Sequence, residues 1–196
     1  MIVKKQGEID VSIIGDYYVG KTTIFKSIFG ENLEEDQGTI GIEHRQKVIE
    51  INKIQYKLNI YDTPGYDIKT YEKLLAMEYS DIIIFVYNTE QFSTFEAIKD
   101  LFDDTLKEKY DYQIWLKSYK KVNGCPKNNN KVFGLLGNIY NNKDSFNDIQ
   151  EDEIQKFSMS IDAKRIKMYK GEFINEFLEE ILKLYLNKND LYNSIK

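Results

Sequence analysis

Short apolar runs alternate along the chain with longer segments in which apolar residues recur every three or four positions. The runs have the length of buried strands, and the longer segments have the period of helices. This alternation is typical of a layered α/β domain with a mainly parallel sheet. The predicted strands cover residues 9–14, 44–51, 55–61, 82–87, 132–136 and 165–168, and the predicted helices cover residues 21–29, 67–79, 93–110, 151–159 and 173–186.

Three segments give the clearest patterns. The run IIIFVY at residues 82–87 is apolar throughout, which predicts a central strand. Asn52 and Lys53 separate two alternating segments and predict the turn of a β-hairpin. Residues 173–186 have apolar side chains along one side, as an amphipathic helix does.

Composition narrows the class of protein. A chain of 196 residues, 42% hydrophobic and 30% charged, can fill one core, so we expect one domain at residues 1–187 and a short C-terminal tail at 188–196. The net charge of -5 argues against nucleic-acid binding, because no overall basic excess displaces counterions from phosphates.

The ends of the chain and its single cysteine bear on location. We find no signal peptide, no apolar stretch approaching the ~18 residues of a membrane span and no C-terminal cysteine for lipidation. Cys125 has no second cysteine to pair with, which fits a reducing compartment. We expect a cytoplasmic monomer without its own lipid anchor.

The stretch GDYYVGKTT at residues 15–23 has the spacing of a phosphate-binding loop, and it lies between a predicted strand and a predicted helix. In such a loop, backbone amides and the positive end of the helix surround the phosphates. Lys21 would supply a charge to the outer phosphates, and the Thr22 hydroxyl would ligate Mg²⁺. The predicted phosphate-binding residues are Gly15, Asp16, Tyr17, Tyr18, Val19, Gly20, Lys21, Thr22 and Thr23.

Two further stretches complete the predicted magnesium shell. YDTPG at residues 61–65 follows a predicted strand, so Asp62 can reach the metal through water and the Gly65 amide can meet the terminal phosphate. TIGIE at residues 39–43 places Thr39 on the loop between the first helix and the second strand.

GDYYVGKTT, TIGIE, DTPG and VYNTEQFSTFEAI, in this order, resemble the Ras superfamily of small GTPases, and its Rab branch most closely. The resemblance extends from Glu8 to about Leu186. It implies a three-layer P-loop fold with a six-stranded sheet and about five helices, which binds GTP or GDP with Mg²⁺. It also implies that Thr39 binds Mg²⁺ only when a third phosphate is present and that Gly65 follows that phosphate.

The resemblance further implies partners and a role. Effector and exchange-factor proteins would contact two nucleotide-sensing segments, residues 31–43 and 62–78. Such switches recruit effectors to membranes in vesicle traffic, so we expect a role there or in other intracellular signalling, with a partner bringing this chain to any membrane.

The catalytic position departs from the family pattern. Tyr66 stands where the family has the glutamine that orients the attacking water, and a phenol is a poor proton acceptor at neutral pH. Tyr17 stands where a small residue usually admits an activating arginine. With Tyr66 and Lys21 as the catalytic residues, we expect slow hydrolysis. The alternative for Tyr17 and Tyr18 is a solvent-facing rim without effect on turnover.

The base-binding motifs depart further. In place of Asn-Lys-x-Asp the chain has Asn138-Ile139-Tyr140-Asn141, so an amide replaces the carboxylate that accepts two hydrogen bonds from guanine. We therefore expect reduced guanine selectivity, unless a bulged loop brings Asp144 into that place. The Met168 amide would reach the base without needing a particular side chain. Leu33 stands where an aromatic residue usually packs on the base, with Phe29 as a substitute.

Two charged segments each allow two interpretations. Glu31, Glu34, Glu35 and Asp36 form either a solvated loop, which we favour, or an effector-specific patch. Residues 117–131, which contain five lysines and no acid, form either a mobile surface insertion, which we favour, or a docking patch for an acidic partner.

Three functions compete on this sequence. The leading hypothesis is a divergent Rab-like GTP-binding switch. The second is a constitutive interaction module without a productive nucleotide cycle, which Tyr17, Tyr66 and Asn141 favour. The third is a P-loop kinase for a small molecule. It is disfavoured because DTPG and TIGIE stand at the positions that the small-GTPase pattern requires.

Overall fold

The computed structural model describes residues 4–31, 41–65, 71–106, 131–139, 148–169 and 171–195. These ranges contain six strands and five helices, as the fold class predicted. The strands are β1 (Lys4–Gly15), β2 (Glu43–Ile51), β3 (Ile54–Asp62), β4 (Ile82–Asn88), β5 (Val132–Ile139) and β6 (Ala163–Tyr169). The helices are α1 (Lys21–Ile28), α2 (Tyr71–Tyr79), α3 (Phe92–Leu106), α4 (Asp148–Ser160) and α5 (Ile174–Ile195).

The strands form one sheet in the order β2-β3-β1-β4-β5-β6. Strand β2 is antiparallel to β3, and every other neighbouring pair is parallel. The carboxyl ends of the five parallel strands therefore meet at one edge of the sheet. Ligands of open α/β sheets bind at this edge, so the topology decides where a site can form.

Two apolar cores cover the two faces of the sheet, which makes the predicted three layers. Val11 and Ile13 of β1 belong to the core that contains residues of α1 and α5. Ile14 belongs to the second core, which α2, α3 and α4 complete. Strand β4 is buried at all seven positions, because its side chains enter both cores.

The hairpin between β2 and β3 turns at Asn52 and Lys53 as predicted. Both residues have positive φ, 52° and 65°. A two-residue turn with two positive φ angles matches the twist of the flanking strands and sets their register. That register pairs Ile51 with Ile54 and continues to Glu43 and Asp62.

Several elements are longer than the apolar pattern predicted. Strand β1 begins at Lys4 because its polar first half pairs with β3 through the backbone, from Lys4 opposite Ile54 onward. Helix α5 continues to Ile195, and thus through most of the segment predicted as a tail. Residues 187–195 contain no glycine or proline to end the helix, although the apolar pattern that predicted it stops near Leu186.

Some predictions lie partly outside the described residues. These are the start of the second predicted helix (67–70), the end of the third (107–110) and most of the lysine-rich segment (117–130), together with Cys125. In the described ranges, no helix combines the length and apolar character needed to span a membrane.

Candidate functional site

The glycine loop begins where β1 ends at the carboxyl edge. A methyl group on Gly15 would lie 2.3 Å from the backbone oxygen of Val86 in β4, so only glycine fits there. Gly20 has φ 86°, in the left-handed region that glycine adopts without strain, and α1 starts at the next residue. The half-buried Thr23 follows in the first turn of α1. The predicted strand–loop–helix order is therefore present.

Lys21 lies inside the loop. Its side chain is 5% exposed, and its Nζ donates a hydrogen bond of 2.7 Å to the backbone oxygen of Asp16. Burial lowers the pKa of Lys21 to about 8, although the charges of Asp62 and Asp16 oppose the shift. An anion bound beside the ammonium would stabilise its charged form.

Thr22 and Asp62 meet across the edge of the sheet. The Thr22 hydroxyl donates a hydrogen bond of 2.6 Å to the carboxylate of Asp62, which is fully buried at the end of β3. The following residue, Thr63, fixes this turn because its hydroxyl donates to the backbone oxygen of Ile13 at 2.8 Å. A hydroxyl beside a carboxylate is an oxygen donor set of the kind that Mg²⁺ takes in phosphate sites, so these residues fit the ion.

Gly65 brings the turn after β3 against the glycine loop. A methyl group placed on Gly65 would lie 3.2 Å from Lys21 Nζ and 3.2 Å from Tyr17 Cα. The backbone of Gly65 is therefore close to the group predicted to hold the outer phosphates.

The two tyrosines of the loop point outward. The side chains of Tyr17 and Tyr18 are 46% and 75% exposed, and their rings meet edge to face with centroids 4.6 Å apart. The Tyr17 amide donates to the Asp16 carboxylate at 2.7 Å. This exposure matches the solvent-facing rim, and the Tyr17 backbone also borders Gly65.

The base end is built on β5 and β6. Asn138 is fully buried, and its Nδ2 donates a hydrogen bond of 3.0 Å to the backbone oxygen of Val19, which links this end to the glycine loop. Asn138 Oδ1 is buried and has no hydrogen-bond partner in the described part of the chain. Met168 is the register partner of Asn138 on β6.

Several other predicted site residues cannot be placed, and one has a different role. Thr39, Tyr66 and Asn141, as well as Leu33 and Asp144, lie outside the described residues, and their roles stay predictions. Phe29 packs edge to face on Phe25, and the Arg45 guanidinium lies 5.5 Å from its ring centroid. Phe29 thus serves the contact between α1 and β2.

Two side chains near the predicted switch segments make contacts that the sequence did not predict. Lys73 of α2 is completely buried, with Nζ 3.4 Å from the backbone oxygen of Gly65. A hydrophobic pattern places a lysine on the solvent side of a helix, so nothing in the sequence marks it. Glu31, expected in a solvated loop, forms an ion pair with Arg45. The other acids of that segment lie outside the described residues.

Comparison with known proteins gives the family. The family profile described as "Ras family" matches residues 10–124, more than half of the chain. The chain belongs to the Ras family. The match includes the glycine loop, Asp62, Gly65 and β4, and ends before Asn138 and Met168.

The relatives of this Ras-family chain are Rab proteins, which confirms the predicted Rab-like character. The mouse Ras-related protein Rab-33A is 28% identical over 45% of the chain and 38% of its own length. The mouse Ras-related protein Rab-36 is 30% identical over 50% of the chain and 37% of its own length. The Arabidopsis thaliana Ras-related protein RABC1 is 30% identical over 46% of the chain and 43% of its own length. The chain thus spans less than half the length of these relatives.

Proposed function

We propose that this Ras-family chain is a Rab-like molecular switch. It binds GTP and GDP with Mg²⁺, cleaves GTP slowly and selects guanine less strictly than its relatives. Its proposed place is intracellular signalling or vesicle traffic, in the cytoplasm or on membranes to which a partner recruits it. Effectors and exchange factors would bind residues 31–43 and 62–78.

One observation carries the proposal: the Thr22 hydroxyl lies 2.6 Å from the buried Asp62 carboxylate, beside the buried Lys21. Burying a carboxylate and an ammonium costs free energy, and their mutual attraction offsets only part of it. A metal ion beside the carboxylate and a phosphate beside the ammonium would add an opposite charge to each group. Thr22, Asp62 and Thr39 would hold Mg²⁺, which neutralises charge on the outer phosphates when bound.

Each end of the proposed site contributes differently. Loop amides and the start of α1 orient the phosphates. Lys21, in its charged form, attracts the negative outer phosphates. Asn138 and the Met168 amide face the base, and Asn141 offers it an amide instead of a carboxylate. Slow cleavage follows from Tyr66 and from Tyr17 at the entrance beside Gly65.

The nucleotide that accompanies the gently purified chain tests the proposal. We expect near-stoichiometric nucleotide on release and chromatography, and a melting temperature that rises with Mg²⁺ and added GDP. A chain that carries no nucleotide, and whose melting temperature ignores GDP, GTP and Mg²⁺, would instead be the constitutive interaction module, which the altered Tyr66 and Asn141 positions favour.

A further inference from the structure

Arg45 on strand β2 binds two carboxylates at once. Its Nε donates a hydrogen bond of 2.9 Å to Glu43 Oε1, and its Nη2 lies 2.7 Å from the same oxygen. Its Nη1 pairs with the Glu31 carboxylate. All three guanidinium nitrogens therefore take part, and one cation joins two acids from separate parts of the chain.

The Arg45 guanidinium also lies against helix α1. It is 5.3 Å from the ring centroid of Phe25 and 5.5 Å from that of Phe29. These two rings are one helical turn apart, so both project from the side of α1 that faces β2. A single exposed ion pair contributes little to stability, whereas a guanidinium that binds two carboxylates and lies over aromatic rings forms a network that contributes more.

The two acids stand at the ends of one segment. Glu31 and Glu43 flank residues 32–42, which contain Thr39. Glu31 directly follows the last turn of α1, and its amide donates a hydrogen bond of 3.1 Å to that turn. Glu43 is the first residue of β2. The ends of helices and strands fray readily. Arg45 opposes fraying at both ends, because it ties the two side chains to one group.

The joined ends lie beside the phosphate end of the candidate site. In the ladder of β2 and β3, Glu43 is paired with Asp62, whose carboxylate accepts the hydrogen bond from Thr22. If the ladder opened at Glu43, more residues would have to be ordered when Thr39 reaches a metal ion, and each ordered residue costs conformational entropy. Removing Arg45 would also leave two neighbouring carboxylates to repel each other.

We infer that Arg45 is a positioning residue for Thr39, because it fixes both ends of the segment that carries this threonine; the inference rests on the proposed function. In that function, Thr39 binds Mg²⁺ only when a third phosphate is present. Arg45 therefore raises the affinity for the triphosphate and leaves the affinity for the diphosphate nearly unchanged. The preference for GTP over GDP thus depends partly on an ion-pair network between α1 and β2.

The test compares the affinities for a non-hydrolysable GTP analogue and for GDP, both with Mg²⁺, in the full chain and its variants. Arg45→Met removes the cation, and Glu31→Gln removes one of the two acids. Lys47→Met is the matched control, because it removes a cation two residues along the same side of β2. Lys47 also contacts α1, through the Phe29 ring at 5.9 Å and the backbone oxygen of Ile28.

We expect the preference for the triphosphate analogue to fall about fivefold in Arg45→Met and about twofold in Glu31→Gln, and to persist in Lys47→Met. A change in charge alone would shift the preference in opposite directions in the first two variants, since one loses a positive and the other a negative charge. A preference that stays unchanged or rises in Glu31→Gln would overturn the inference, even if Arg45→Met is too unstable to measure. So would equal losses of both affinities, which indicate a general structural role.

A second comparison uses Thr39→Ala, which removes the group that Arg45 is inferred to position. In that background we expect Arg45→Met to cause no further loss of the preference, because the two residues act through one interaction. A further loss of the same size would show that Arg45 acts by another route and would overturn the inference. If the native chain binds neither nucleotide, the proposed function fails, and the inference fails with it.

Discussion

The phosphate end and the base end of the candidate site lie on the same sheet edge but differ in completeness. At the phosphate end, the Thr22 hydroxyl donates to the Asp62 carboxylate at 2.6 Å, and Lys21 Nζ donates to the backbone oxygen of Asp16 at 2.7 Å. At the base end, Asn138 holds the glycine loop through Nδ2, while its buried Oδ1 has no hydrogen-bond partner in the described ranges. The sequence shows the same contrast. At the base end, Asn141 stands where the family pattern has an aspartate, whereas at the phosphate end Lys21 matches the family pattern.

The contrast shows that binding and selectivity rest on different kinds of structure. In the proposed function, backbone amides, the Lys21 ammonium and a metal ion would hold the phosphates, at a place set by the end of β1, the start of α1 and the end of β3. Selection of guanine rests on a few side-chain hydrogen bonds. A site can therefore lose much of its selectivity while its affinity for phosphates remains.

The largest expected effect comes from removing the charge at the phosphate end. Lys21→Met should weaken binding of GDP and GTP at least about a hundredfold, because charge-assisted contacts to the phosphates are lost. Competition binding measures the loss, with Lys26→Met, one turn along α1, as the control. Equal affinity in the native and Lys21→Met chains would show that the phosphates bind elsewhere.

Repairing the base end should give the next largest effect. Asn141→Asp restores an acceptor for the guanine N–H groups, so the ratio of GDP to ADP affinity should rise about tenfold to a hundredfold. Isothermal titration of both nucleotides measures the ratio. Asn142→Asp adds the same charge one residue away and should leave the ratio unchanged. If both variants raise the ratio equally, the rise comes from the added negative charge and not from a hydrogen bond between residue 141 and guanine.

A smaller gain is expected from the catalytic position. Tyr66→Gln should speed single-turnover GTP cleavage at least about tenfold, since a glutamine can orient the attacking water. Tyr119→Gln makes the same exchange in the lysine-rich segment, 53 residues further along the chain, and should leave the cleavage rate unchanged. A native chain that cleaves GTP as fast as its Tyr66→Gln variant would refute the expected slow turnover.

The fold and the phosphate end could be predicted because they depend on local patterns. Apolar runs such as residues 82–87 have the length of buried strands, and the Gly15 to Thr22 spacing requires a strand before it and a helix after it. The sequence missed the burial of Lys73 and the Glu31–Arg45 pair, since both depend on contacts between elements distant in the chain. The length of α5 was missed because the apolar pattern used to predict it stops near Leu186, whereas the helix continues to Ile195.

The orientation of Tyr17 and Tyr18 could not be predicted either. Loop backbone angles decide which way these side chains point, and Tyr18 has φ 52°, which few residues other than glycine adopt easily. Spacing alone does not reveal such angles.

The central claim is that the site has an intact phosphate end and a weakened base end. Competition between GTP and ATP for the native chain, with Mg²⁺, tests this claim most directly. We predict that both nucleotides bind and that the preference for GTP is below about a thousandfold. A binding site with all its hydrogen bonds to the base rejects an analogue that lacks them by about 10⁴ to 10⁵. A preference of that size would contradict a weakened base end, and failure of both nucleotides to bind would contradict an intact phosphate end.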